Sequence, residues 1–272
     1  MLHKLIYSNW LIALSAAALT LGFCEILALQ HRFLNAALIG FGTLFMYNFQ
    51  RILAFPALKP LPSERLQWMM IHKLGVSLTA ALALSFAAVL SFLAIFEWSA
   101  LILLVAALVL GVFYSGKIPG LRMPLREIPY IKIHVIAFVW LMCCGYFPWL
   151  NSATGDSHAF AFVSIHYAYL IAITIPFDIR DMQNDYGTQR TIPQVLGARK
   201  SVLLGQVLLL LFAFLAIWLD PVLIYRPLFS IAVLYQLLLL QICRPGSPDW
   251  LFSGMIDGGI ILLGISYCSW PF

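Results

Sequence analysis

Apolar runs of about one bilayer crossing alternate with short polar breaks along the whole chain. A helix needs roughly 20 apolar residues to traverse a hydrocarbon core. Nine runs of that order fall at about 10–29, 33–55, 73–96, 98–115, 133–150, 160–178, 201–219, 222–243 and 251–270. Glu97-Trp98 alone separates the third run from the fourth, and Asp220-Pro221 the seventh from the eighth. These pairs are therefore expected to be tight antiparallel hairpins. The pattern predicts an all-α integral membrane protein with residues 1–272 as a single polytopic domain. The run from Trp10 to Leu29 is longer than a signal-peptide core and lacks a convincing cleavage pattern, so it reads as the first transmembrane helix.

Composition agrees. Of 272 residues 62% are hydrophobic and 10% charged, with a mean hydropathy of +0.94, against about 25% charged in soluble domains. A soluble globular protein is excluded. The five cysteines form no CxxC pair and sit almost entirely in apolar runs, where a thiol behaves as a small hydrophobe. Neither a disulfide framework nor a thiolate metal site is expected.

The net charge of +5 matters less than its placement. With nine spans and the N-terminus inside, fourteen of the sixteen Lys and Arg residues fall on the cytoplasmic side, leaving only Arg32 and Arg226 outside. That bias is the positive-inside signature. It places the N-terminus and the long polar segments on the cytoplasmic face of a bacterial-type inner or plasma membrane, with the C-terminus outside. Tryptophans near predicted helix ends, such as Trp98 and Trp218, are interface anchors. HExxH, P-loop, nucleophile-elbow and nucleic-acid modules are absent, so no nucleic acid partner is expected.

At the end of the sixth run Asp178, Asp181 and Asp185 are spaced i, i+3 and i+7, which on a helix confines them to an arc of about 60°. Arg180 falls on another face of that helix and is poorly placed to neutralise all three. Three carboxylates aimed at one point repel one another unless a cation faces them, and carboxylate oxygens are hard ligands suited to Mg²⁺. The bland alternative is a solvated acidic helix end paired with Arg190, Arg199 or Lys200. Ionisable groups at a membrane boundary usually serve function, which favours the metal.

The run Asp178-x-x-Asp181-x-x-x-Asp185, with Gly187 and Thr191-Ile192-Pro193-Gln194-Val195-Leu196-Gly197 behind it, resembles the second aspartate-rich motif of the UbiA superfamily of intramembrane prenyltransferases, proteins of nine transmembrane helices. The resemblance implies a prenyl diphosphate substrate, a hydrophobic acceptor that is aromatic or lipid, and Mg²⁺ on Asp178, Asp181 and Asp185. It assigns Tyr114, Lys117, Arg122, Arg126 and Lys132, between the fourth and fifth helices, to the substrate's diphosphate, together with Arg190. Guanidinium forks suit phosphate independently of any family. Thr191 and Gln194 also have capping-box spacing, which would start the seventh helix close behind the acids.

The family's first motif, between helices two and three, is changed. Asn48 stands at its Asn position, but Phe49, Ile52 and Pro56 replace the three aspartates, and no Asp or Glu lies between Glu25 and Glu64. An offset of 130 lays Asn48, Arg51 and Phe55 over Asp178, Asp181 and Asp185, in keeping with two pseudo-repeated four-helix halves plus a last helix. Arg51 is thereby placed where a second metal would otherwise sit, and Asn48 joins the catalytic set. Phe49, Phe55 and Tyr114 are candidates to shield an allylic cation from water.

Asp257, some two turns into the ninth run, is expected to face a cavity. Glu25, His134 and His166 are expected to be satisfied interior groups. Besides the transferase, two readings stay open: a non-catalytic lipid-diphosphate binding or assembly protein that kept the fold, and a small transporter. Polar groups crowded at one face rather than at the midplane count against the transporter.

Overall fold

The computed structural model describes residues 2–54, 64–95, 97–116, 124–152, 156–182 and 190–268. Within them every regular element is helical. In chain order these are α1 (Leu2–Tyr7), α2 (Trp10–Ile26), α3 (Arg32–Ala54), α4 (Glu64–Ile71), α5 (Lys73–Ala94), α6 (Trp98–Ser115), α7 (Ile131–Asn151), α8 (Ser157–Asp181), α9 (Ile192–Leu196), α10 (Ala198–Leu219), α11 (Pro227–Ile242) and α12 (Leu251–Tyr267). Short 3₁₀ turns cover Leu125–Glu127 and Pro221–Tyr225. Wider π turns interrupt α7 at Met142–Tyr146 and open α12 at Leu251–Ile256.

Among the described residues a helix stands at each of the nine apolar stretches. Five of them (α5, α6, α7, α8 and α10) are long and apolar enough to cross a membrane. Three others, α2, α11 and α12, are apolar but shorter, at 10–17 residues. The eighth apolar stretch begins later than its hydropathy suggests. Asp220 Oδ1 accepts the Val222 N–H at 3.2 Å and holds a 3₁₀ turn there, and the helix starts at Pro227, where a proline's missing N–H costs nothing. The short amphipathic α4 is an addition: Leu66 and Met69, one turn apart, turn inward while Glu64 and Gln67 stay exposed.

Burial is inverted relative to a water-soluble bundle. Phe92 is 89% exposed and Trp98 79%, and burying a side chain of that kind is worth about 1.5–3 kcal/mol in water. Such a surface is stable only against lipid, so the protein is an integral membrane protein. Polar residues point inward instead. α8 is the centre of the core, burying Phe162, Tyr169, Ile175 and Ile179 along with His166, Thr174 and Asp178. His166 is satisfied by the Phe162 carbonyl at 2.8 Å and the Tyr267 hydroxyl at 2.7 Å. His134 meets the Tyr167 hydroxyl at 2.6 Å, and Glu25 pairs with Arg32 at 2.7 Å.

Without a hydrophobic force between helices in lipid, close backbone approach through small residues drives packing. α2 and α12 meet in this way. A Cβ on Gly22 would lie 2.4 Å from the Gly264 carbonyl oxygen, and one on Gly264 would lie 2.4 Å from that of Ala18. Gly264→Ala should therefore destabilise the bundle by about 1–3 kcal/mol, read as a lower unfolding midpoint in detergent. Gly42→Ala, whose added methyl meets nothing within 4 Å, should leave that midpoint unchanged.

Candidate functional site

The last turn of α8 brings Asp178 and Asp181 to the end of the bundle. Asp178 is only 2% exposed. A bare carboxylate there would be very costly, and Lys132, at the start of α7, answers it. Lys132 Nζ lies 2.9 Å from Asp178 Oδ1 and 3.7 Å from Asp181 Oδ2. Among the described residues one cation thus serves two acids.

Arg180 completes the arrangement: of the motif's described acids it pairs with Asp181 and leaves Asp178 to Lys132. Its Nε lies 2.8 Å from Asp181 Oδ1, while a terminal nitrogen reaches Asp249 Oδ1 at 3.4 Å. The guanidinium rests over Phe177 and Phe252, 5.4 and 5.3 Å from their centroids. Rings on α8 and α12 therefore hold it flat while two acids take its charge.

A recess opens beside this pair, lined by Arg126, Tyr130, Lys132, Asp178, Arg190 and Thr191 among others. Residues far apart in the sequence are drawn together by one backbone contact: Tyr130, at a left-handed φ of 64°, donates its N–H to the Arg190 carbonyl at 3.2 Å. Gln194 Oε1 accepts the Thr191 N–H at 2.9 Å. The predicted capping box thus sits on the five-residue α9, which Gly197 at φ 79° separates from α10. Tyr114, at the end of α6, lies within electrostatic reach of Lys132, Asp178, Arg126 and Arg51. Arg51, at the end of α3, is within reach of Arg180, Asp181 and Tyr114. Asp185, Lys117, Arg122 and Phe55 lie outside the described residues.

Asn48 is engaged elsewhere. Its amide donates to the Leu44 carbonyl at 3.0 Å and the Ser8 carbonyl at 3.3 Å, and accepts from Asn9 Nδ2 at 2.8 Å. Asn9 in turn accepts from Arg65 on α4, which also donates to Ser253 Oγ at 2.6 Å. Burial, reinforced by the like charge of Arg51, pulls the Arg65 guanidinium down to about 10. The resulting chain joins α2, α3, α4 and α12 around the same end of the bundle. Asp257, 6% exposed and about one turn further along α12 than Ser253, faces Arg65 and Arg180 electrostatically. Arg65 and Asp249 escape a reading of the sequence: Arg65 counts there as one topology charge among many, and Asp249 belongs to no motif.

Asp178 and Asp181 already direct oxygens at one positive centre, the Lys132 ammonium, which is the chemistry Mg²⁺ requires. Among the described residues no three His, Cys, Asp or Glu side chains converge on a metal position.

No family model matches the chain, and no curated protein matches it. A solved structure does. It concerns the biosynthesis of digeranylgeranylglyceryl phosphate synthase in membranes and aligns over 98% of each chain with a TM-score of 0.55 and 15% sequence identity. The chain shares that fold. At this identity the likeness lies in helix arrangement, so chemistry has to be argued from the residues at the helix ends.

Removing one partner of a buried ion pair typically costs about 3–5 kcal/mol. Lys132→Met should lower the unfolding midpoint accordingly, and adding Asp178→Asn should restore most of the loss. If the double variant were as unstable as the single, the pair would not be what holds these two helix ends together.

Proposed function

We propose that the chain is a UbiA-like intramembrane prenyltransferase that moves an isoprenoid chain from a prenyl diphosphate to a hydrophobic acceptor, aromatic or lipid. The observation that carries this reading is the two-acid, multi-cation ledge of Asp178, Asp181, Lys132, Arg126 and Arg190 at one end of a bundle with a prenyl-lipid synthase's fold. All nine apolar helices cross the bilayer, as two four-helix halves and a last helix in one domain. The N-terminus and the ledge are cytoplasmic, and the C-terminus lies outside.

The reaction breaks the bond between the prenyl C1 and its bridging oxygen and forms one from C1 to the acceptor, whose proton is lost. Diphosphate leaves with the bonding pair. The rate therefore depends on how well the site stabilises about three negative charges as they separate from an allylic cation. Arg51, Arg126, Lys132 and Arg190 bind and orient the diphosphate, with Tyr114 donating a hydroxyl hydrogen bond and Lys117 and Arg122 adding charge from the adjoining loop. Asp178 and Asp181, joined by Asp185, would hold Mg²⁺, which when bound neutralises the departing oxygens. Asn48 holds the end of α3 that carries Arg51. Phe49 and Tyr114 would shield the cation from water, with Phe55 a further candidate from its position in the sequence. Asp257 lines the deeper, acceptor side.

A second reading has its own observation. The end of α3 carries Phe49 and Ile52 where the family has acids, which suits a protein that binds a lipid diphosphate without turning it over. Pyrophosphate release from the purified chain, given geranylgeranyl diphosphate and a panel of phenolic and glycerol-ether acceptors, separates the two. The transferase predicts release that falls by about 10²–10³ in Asp178→Asn and Asp181→Asn, the range seen when one group stabilising a developing charge is lost. Saturable binding with no release for any acceptor would favour the binder.

A further inference from the structure

Among the described residues the charges at the ledge do not pair off completely. Lys132 and Arg180 between them meet Asp178 and Asp181, and Arg180 also takes Asp249. Arg51 is left over. Its guanidinium, partly withdrawn from solvent at the end of α3, makes no hydrogen bond or ion pair with a described residue. Arg190, on the recess wall, likewise has no ion pair with a described residue.

An arginine presents five N–H donors in a planar fork, and leaving them idle in a low-dielectric interior is costly. On α3 the chain supplies no acid to meet them, since Asp and Glu are absent between Glu25 and Glu64. For the same reason a divalent cation on this side would find no carboxylate ligand from α3 and a like charge in its place. A diphosphate fits the vacant donors: it is multivalent, and its oxygens match the guanidinium fork two at a time.

We propose that Arg51, together with Arg190 and Lys132, docks the substrate's diphosphate directly, so that binding needs no divalent cation and Mg²⁺ acts on the bound group from the Asp178 and Asp181 side alone. The inference rests on the prenyl diphosphate reading of the site. It also assigns the two acids a sign. Without metal they repel the diphosphate and compete for Lys132, so neutralising one of them should help the anion to bind.

Isothermal titration of the full chain in detergent with geranylgeranyl diphosphate, in excess EDTA and again in Mg²⁺, tests this. Affinity in EDTA should stay within about tenfold of that in Mg²⁺, about 1.4 kcal/mol. In EDTA Arg51→Gln should weaken binding by about thirtyfold, as expected for a lost charge-assisted fork, while Asp181→Asn should bind as tightly as the parent or tighter. Arg51→Lys, which keeps the charge and loses the fork, should fall between parent and Gln, and it supplies the test if the Gln variant does not fold. Binding that appears only with Mg²⁺, or that weakens in Asp181→Asn under EDTA, overturns the inference and leaves the prenyl diphosphate reading standing. Absence of binding in both buffers overturns both.

Discussion

The contact between Lys132 Nζ and Asp178 Oδ1, 2.9 Å long and largely hidden from solvent, is the constraint on which the site is built. A carboxylate 2% exposed cannot stay ionised without a partner, and the partner comes from another helix 46 positions earlier. Satisfying it fixes the start of α7 against the end of α8. Once those ends are joined, Arg126 and Tyr130 just before α7 come to lie beside Arg190 and Thr191 just before α9. The recess is a consequence of pairing one buried charge.

A similar logic governs the α12 side. Arg180 lies against Phe177 and Phe252 and bridges Asp181 to Asp249, so the acidic end of α8 is tied to the start of α12 as well. Arg65 extends that linkage through Ser253 and Asn9 to Asn48 and α3. Buried ion pairs add little net stability compared with apolar packing, so a bundle seeking stability alone would not collect charges there. They are concentrated at one end while α5, α6 and α10 show lipid an apolar surface, a distribution the proposed prenyl diphosphate site would use.

Much of this was legible before folding. Nine apolar stretches each contain a helix among the described residues, because hydropathy and length suffice where lipid excludes every unsatisfied backbone group. Spacing alone puts Asp178 and Asp181 on one helical face, whereas Arg126, Lys132 and Arg190, which line one recess, stand out in the sequence only through the family resemblance. Helical angle separates Arg180 from Asp178, which pairs with Lys132, but a long arginine still reaches its neighbour Asp181. Asn48 matched a motif position, yet its hydrogen bonds bind it to Asn9 and two carbonyls.

What the sequence determined by itself is therefore the one-dimensional part: which stretches are helical, which faces lipid must cover, and which short run carries acids, all local consequences of apolar length and helical period. The tertiary structure alone decided which cation answers which acid. Lys132 meets Asp178, Arg180 meets both Asp181 and Asp249, and Arg51 makes no ion pair with a described residue. Ion pairing depends on distances between helices remote in sequence, and no local pattern contains those distances.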